Sequence, residues 1–314
     1  TRHVMQHTLI QHFAESHALP ASFSEDAARW LAPIADSLHT QIKSEGHGSA
    51  GKDALLVGVS GCQGSGKSTA TALLAALLKA EGIRTATVSL DDFYFGRAQR
   101  SALAAQYHPL FCTRGVPGTH DIALANATIE ALNGRAPQPG APVPLPRFDK
   151  ASDEPRPREL WPLVEPAEAG GPCVDAIILE GWCVGAAPQS EDKLASPCNA
   201  LEEQEDPDGL WRGHANACLK HSYQPLFTRL DTLIYLAAPN FACVERWRNR
   251  QEERLRQTRA GAGDALMDAA GIHRFVQHFE RLTRHCLETL PAVADVTLLL
   301  DEQQRLVSSS RHEW

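Results

Sequence analysis

The sequence predicts an α/β fold of the P-loop NTPase type, a doubly wound, mainly parallel sheet flanked by helices. Three observations predict it. An apolar run, Leu55-Leu56-Val57-Gly58-Val59-Ser60, ends in a glycine-rich loop and passes at once into a helix-forming run over 70–79. Further apolar runs at 83–90, 174–182, 232–237 and 293–300 alternate with helical stretches, the pattern of β-α-β units. Two of these runs end in carboxylates, Asp91-Asp92 and Glu180, at the strand end where open α/β sheets bind ligands.

The loop reads Gly61-Cys62-Gln63-Gly64-Ser65-Gly66-Lys67-Ser68-Thr69. It matches the phosphate-binding pattern G-x-x-x-x-G-K-[ST] at every fixed position. Glycines let backbone N–H groups turn inward toward a phosphate chain, and the helix N-terminus that follows adds partial positive charge. Lys67 is placed to reach the β- and γ-phosphates of ATP, and the Ser68 hydroxyl to ligate Mg²⁺. The motif implies triphosphate binding. It leaves the destination of the phosphate open.

The other elements follow in order. Residues 1–45 read as two helices punctuated by Pro20 and Pro33, with a flexible joint at 46–51. Residues 1–50 are therefore expected to be a helical extension, and 51–314 the main domain. Gly82 stops the first main helix. Residues 97–118 read as irregular, and 122–132 as a helix capped by Thr119 or Asp121. Prolines across 135–172 exclude a central strand or helix there. Residues 185–230 form a third insertion, acidic at first and helical over 210–227. After the strand at 232–237 comes a charged helix, Phe241–Thr258. It carries Arg246, Arg248, Arg250, Arg254 and Arg256, with Arg259 just beyond. So many arginines beside a polyphosphate site favour an anion-facing lid over a merely solvated face. Gly261-Ala262-Gly263 is a hinge-like break, a helix is expected over 264–290, and 293–300 is the last strand.

Composition narrows the function class. Hydrophobic content of 43% is ample for a core, and a net charge of -8 argues against a nucleic-acid or anionic-membrane surface. No apolar run is long enough to span a bilayer, and the first residues lack a signal-peptide core. The eight cysteines are scattered without a C-x-x-C pair, so buried free thiols in a reducing cytoplasm are expected. His3 and His7 share a helical face, but nothing completes a metal site around them. The oligomeric state is not legible.

Other motifs carry a resemblance. Ser89-Leu90-Asp91-Asp92-Phe93-Tyr94 resembles the second-strand motif of the uridine kinase, phosphoribulokinase and pantothenate kinase group. With Gly118-Thr119-His120-Asp121, Pro146-Arg147-Phe148-Asp149-Lys150, Leu179-Glu180-Gly181-Trp182 and Trp247-Arg248-Asn249-Arg250-Gln251-Glu252, the chain resembles the D-glycerate 3-kinase family of plants and fungi and its bacterial relatives. The likeness spans roughly residues 55–300, while 260–263 departs from the longer loop expected of the plant enzymes.

The resemblance implies an ATP-dependent kinase acting on an alcohol, D-glycerate giving 3-phosphoglycerate. Asp91 is then the base, or alternatively a second Mg²⁺ ligand, with Glu180 or Asp92 behind a metal-bound water. Arg248, Arg250 and Arg254 are candidates to neutralise the transferring phosphoryl group. Asp92, Tyr94, His120, Asp121, Arg147, Asp149 and Lys150 are candidates for the acceptor pocket. Arg147 or Lys150 would supply the cation that a hydroxy-acid carboxylate needs.

Two other readings stay open. One is a sister kinase for a nucleoside, pantothenate or a sugar phosphate; an aromatic content of 6% is low for a stacking pocket, though Phe93, Tyr94 and Tyr107 are available. The other is a nucleotide-switched binding protein without an acceptor, which would need no base such as Asp91.

Overall fold

The computed structural model describes residues 2–167, 170–258 and 267–311. Its centre is a six-stranded sheet of β1 (Leu55–Gly61), β2 (Thr85–Ser89), β3 (Ala176–Gly181), β4 (Thr232–Ala237), β5 (Val296–Leu300) and β6 (Leu306–Arg311). The spatial order is β6-β5-β4-β1-β3-β2. β1 pairs in parallel with both β3 and β4, β2 with β3, and β5 with β4, while β6 joins β5 antiparallel.

The strands at the centre are buried on both faces, which is why they read as unbroken apolar runs. Pleating divides their side chains between two cores. Leu55, Val57, Val59, Ile178, Ile234 and Leu236 face one layer; Leu56, Ile177, Leu179, Leu233 and Tyr235 face the other. The first layer holds the helix Lys67–Ala80 after the P-loop, together with the N-terminal helices. Ile10, Leu31, Ile34, Leu38 and Ile42 share that core with Leu73 and Leu77. Trp30 Nε1 also donates to the Leu306 carbonyl at 3.0 Å, tying the N-terminal arm to the sheet edge.

Pro33 was expected to punctuate a helix and does not end one. The helices Ala21–Asp26 and Ala32–Glu45 are continuous through a π-turn, Ala27–Leu31, in which the Ala32 amide donates to Ala27 O five residues back. Proline offers no N–H and crowds the carbonyl four residues earlier; a widened turn relieves both. The stretch expected as one helix over 210–227 repeats the device. A π-turn, Leu219–Tyr223, stands just ahead of Pro225.

Other expectations are corrected. Residues 97–118 are not irregular throughout, since they contain a helix, Arg97–Gln106, and a 3₁₀ turn, Pro109–Cys112. The helix is anchored by Arg100, only 1% exposed, which donates to Phe95 O at 2.9 Å and Cys112 O at 2.6 Å. The strand at 296–300 is not the last. Serine-rich β6 follows it as a half-exposed edge that no apolar run announces. The helix after the arginine-rich one is Ala269–Thr289, with the Asp268 side chain accepting from the Gly271 amide at 2.7 Å. The expected hinge at 261–263 lies outside the described residues, as do Arg259 and the start of that helix expected at 264–266.

The proline-rich 135–172 segment forms only two-residue strand pairs, Val143–Pro144 with Leu163–Val164 and Phe148–Asp149 with Glu154–Pro155. All eight cysteines are unpaired; Cys112 is exposed and Cys198 and Cys218 half-buried, so not all are core thiols. Among the described residues no helix is long and apolar enough to cross a membrane.

Candidate active site

The phosphate loop leaves β1 at the C-terminal edge of the sheet and enters the helix Lys67–Ala80. Gly64 and Gly66 take the left-handed conformation, at φ +77° and +83°. Gly64 is doubly constrained: a Cβ there would lie 2.7 Å from Trp247 Cβ, so the arginine-rich helix rests directly on the loop. The Gln304 side-chain amide donates to Gly64 O from the β5–β6 turn. Cys62 is buried, which pushes its thiol up to about 12 and leaves it a core side chain, while its carbonyl accepts from Ser65 N at 3.1 Å. Ser65 Oγ is buried with no partner among the described residues.

Glu180 pairs in register with Val59 and Ser89, at the middle of the sheet edge. Its Oε1 accepts from Ser68 Oγ at 3.1 Å, and its Oε2 is buried with no partner among the described residues. A buried carboxylate oxygen left bare beside a hydroxyl is a donor set that a hard cation completes. Gly181 follows because a Cβ there would come within 2.7 Å of Leu90 Cβ. Trp182 then reaches away, donating from Nε1 to Gly115 O at 3.1 Å.

The two aspartates after β2 have different surroundings. Asp91 accepts from Lys150 Nζ at 2.7 Å. Burial pushes its pKa up, but the charges of Lys150 and Lys67 outweigh that and bring it down to about 2. Asp92 accepts from the Phe148 amide at 3.0 Å and has Arg147 at 3.5 Å; its burial raises its pKa overall. Asp91 is thus a fixed anion, and Asp92 ties the 146–150 loop to the sheet.

His120 lies against this pair. Its ring stacks on Tyr94 with centroids 4.2 Å apart, and Nδ1 is 2.5 Å from the Tyr223 hydroxyl. Burial depresses its pKa to about 3, against the upward pull of Asp91, so the ring is neutral. Its Nε2 is buried without a partner among the described residues.

The structure therefore brings together Lys67, Ser68, Glu180, Asp91, Asp92, Tyr94, His120, Arg147 and Lys150. Two acceptor candidates are occupied elsewhere. Asp121 caps the helix Ile122–Leu132, accepting from Leu124 N at 2.9 Å. Asp149 holds its own turn, accepting from Ser152 Oγ at 2.8 Å and Ala151 N at 3.1 Å. Arg147 also donates to Pro146 O at 2.8 Å.

The arginines of the helix Phe241–Thr258 do not form one cluster. Arg246 pairs with Glu302 at 3.5 Å. Arg248 is half-buried, pairs with Glu252 at 3.1 Å and lies 5.7 Å over the Phe275 ring. Burial lowers its pKa, as does the charge of Arg114. Arg250 lines a separate surface pocket with Asn249, Glu253 and Ile272. Arg254 is exposed, and the Arg256 side chain lies outside what is described.

Arg114 was missed by the sequence reading. It stands four residues before Gly118, in a run with glycine on either side of Val116-Pro117, and this proximity to the Gly118-Thr119-His120-Asp121 motif was the available signal.

No family model matches the sequence. The chain is 30% identical over 278 residues to the uncharacterized kinase mug58 of Schizosaccharomyces pombe, the match covering 81% of this chain and 91% of that protein. It is also 30% identical over 245 residues to the chloroplastic D-glycerate 3-kinase of Arabidopsis thaliana, covering 76% of this chain. The chain belongs to this family of P-loop kinases. The kinase spans only 49% of the Arabidopsis protein. Its fold is shared with a solved D-glycerate 3-kinase from Cryptococcus neoformans, at a TM-score of 0.69 and 24% identity, covering 90% of this chain and 97% of that one. The kinase motifs fall on the sheet edge described above, with the phosphate loop on β1, Asp91-Asp92 after β2 and Glu180 on β3.

Proposed function

We propose that the kinase transfers the γ-phosphoryl group of ATP to the terminal hydroxyl of D-glycerate, giving 3-phosphoglycerate. The observation that carries the phosphotransferase reading is Asp91, an anion pinned at the sheet edge within the electrostatic reach of the P-loop Lys67. The acceptor comes from kinship with a relative named D-glycerate 3-kinase.

The chemistry is mostly positioning and charge neutralisation. The loop amides from Gly61 to Thr69 and the Lys67 ammonium hold the phosphate chain. Ser68 Oγ and Glu180 would hold Mg²⁺, with Asp92 behind them; the bare Glu180 Oε2 fits that ion. When bound, Mg²⁺ neutralises charge on the phosphate oxygens. Asp91 accepts a hydrogen bond from the acceptor hydroxyl and aims it in line. A carboxylate near pKa 2 is a weak base, so the proton passes to it late, as the new oxygen–phosphorus bond forms. Arg248, next to the Trp247 that lies against the phosphate loop, would balance charge on the transferring group. The unpaired cysteines suit a reducing compartment such as the cytoplasm.

ADP release is measured with MgATP and D-glycerate, L-glycerate, lactate, pantothenate or a nucleoside. D-glycerate should dominate, and lactate, which lacks the reacting hydroxyl, should be poorer by about 10⁴-fold. Turnover of another alcohol without D-glycerate turnover keeps the kinase and discards this acceptor.

A further inference from the structure

A small anionic acceptor needs a cation for its carboxylate. The two residues first considered for that task each stand on one of the two site aspartates. Lys150 is held on Asp91 at 2.7 Å, and Arg147 donates to Pro146 O beside Asp92. We propose that Arg114 binds the acceptor carboxylate, facing Arg248 across the crevice beside Asp91. The inference rests on the glycerate reading and names the side chain that would enforce it.

Charge balance is the first argument. The Asp153 carboxylate is shared by Arg100 at 2.6 Å and Arg114 at 2.5 Å, so two guanidiniums face one anion. Arg100 is buried, and its remaining hydrogen bonds go to the Phe95, Cys112 and Asp153 carbonyls. Arg114 is partly exposed and commits Nη1 to Asp153. A guanidinium presents five donors in a planar fork, so among the described residues an edge of Arg114 remains for a second carboxylate, the arrangement that favours bidentate binding.

Position is the second argument. The Arg114 guanidinium lies 5.6 Å from the Phe148 ring centroid, and that ring meets Tyr94 edge-on at 5.6 Å. Tyr94 stacks on His120 and lies within the electrostatic reach of both Asp91 and Arg114, so the three charged or polar groups surround one ring. On its other side the chain is locked. Gly115 adopts φ +151°, and a Cβ there would lie 2.5 Å from Phe279 Cζ. Trp182, the last residue of the Glu180-Gly181-Trp182 motif, holds the Gly115 carbonyl. Phe279 contacts Phe275 at 5.1 Å, and Arg248 lies over Phe275. Gly115, next to Arg114 in the chain, and Arg248 thus lie against the same aromatic pair. Arg114 and Arg248 each stand in the field of the other, which helps hold the Arg248 pKa down. Two like charges brought together out of water are stabilised when an anion enters between them.

The test is Arg114→Gln, which keeps a polar side chain and removes the charge, with Arg114→Lys as a second variant that keeps charge without the fork. Circular dichroism verifies the fold. Steady-state kinetics are run with D-glycerate and with glycerol, which retains a primary alcohol but has no carboxylate. The KM for D-glycerate should rise roughly 10–100-fold in Arg114→Gln, the scale of a charge-assisted hydrogen bond, and less in Arg114→Lys. The preference for D-glycerate over glycerol should fall by the same factor, and the KM for ATP should hold. If D-glycerate is a substrate of the wild type and its KM is unchanged in both variants, this inference alone fails. A rise confined to the KM for ATP also overturns it, since Arg114 then serves the nucleotide. Wild-type turnover of glycerol but of no hydroxy acid overturns both this inference and the glycerate reading.

Discussion

The Tyr223 hydroxyl lies 2.5 Å from Nδ1 of His120 and accepts the Gly118 amide at 3.1 Å. The amide must donate, which occupies one lone pair of the hydroxyl and leaves its hydrogen free to turn to Nδ1. With the hydroxyl donating in this way, the ring proton is expected on Nε2, the buried nitrogen that has no partner among the described residues. Burial keeps the imidazole neutral within the electrostatic reach of Asp91.

Tyr223→Phe should release that tautomer and leave the Gly118 amide unsatisfied. The expected cost is about 1–3 kcal/mol of stability, with a several-fold rise in acceptor KM. Long-range ¹H–¹⁵N correlation spectra of the wild type should show His120 protonated at Nε2, and the variant should show a mixture. A wild-type ring protonated at Nδ1 would refute the relay, whatever the kinetics.

Glu180→Gln should preserve the fold and weaken the use of Mg²⁺. The amide keeps the size of the side chain but supplies one oxygen and no charge. The Mg²⁺ concentration for half-maximal rate should rise by about tenfold or more, on the scale of losing a supporting carboxylate. Lys67→Ala, by contrast, should remove most activity at any Mg²⁺ level. If Glu180→Gln shows the same Mg²⁺ titration as the wild type, Glu180 is not near the ion.

Asp91 links the site to pH. Its folded pKa is about 2, below the roughly 3.9 of an unfolded aspartate. Such a group adds stability that is complete above about pH 4 and is lost as pH falls toward 2. Lys150→Met removes the largest downward pull, so the folded pKa rises. The wild type should exceed Lys150→Met by about 0.5–1 kcal/mol at pH 6, a modest figure because Lys150 is largely solvent-exposed. Urea titrations should show the gap closing between pH 4 and pH 2. A gap that widens in acid contradicts the sign.

Gly64→Ala and Gly66→Ala separate strain from collision. Both glycines have positive φ, so alanine at either costs about 1 kcal/mol or more. A Cβ at Gly66 meets nothing within 4 Å, whereas one at Gly64 meets Trp247. Gly64→Ala should therefore be the more destabilising in thermal melts and should also raise acceptor KM. Equal effects on both measures would mean that the Trp247 contact is unimportant.

The β1 strand, its glycine loop and the residues from Lys67 to Ser68 were legible because a two-sided buried strand and a phosphate cradle each leave a local pattern. The buried arginine was not. Arg100 and Arg114 acquire a role only when one carboxylate, 53 residues from the first and 39 from the second, is placed between them. Asp121 was legible as a helix cap, and both it and Asp149 were also offered for the acceptor because a cap or turn carboxylate and a ligand-binding one look alike along the chain. The scatter of Arg246, Arg248 and Arg250 was open to derivation. Residues two apart on a helix point to different faces, so their density never implied a common target. β6 lacked any signal beyond Leu306-Val307, because an edge strand with one covered face tolerates serines.

The contact between Trp247 and Gly64 makes a fulcrum of the phosphate loop. Arg248 follows on the same helix and stands over Phe275, so its place depends on how closely that helix seats on the loop. A side chain larger than glycine at position 64 would push that helix off the loop, and Arg248 with it. The near-touch of two backbones at this one point therefore fixes how far the guanidinium stands from the phosphate cradle.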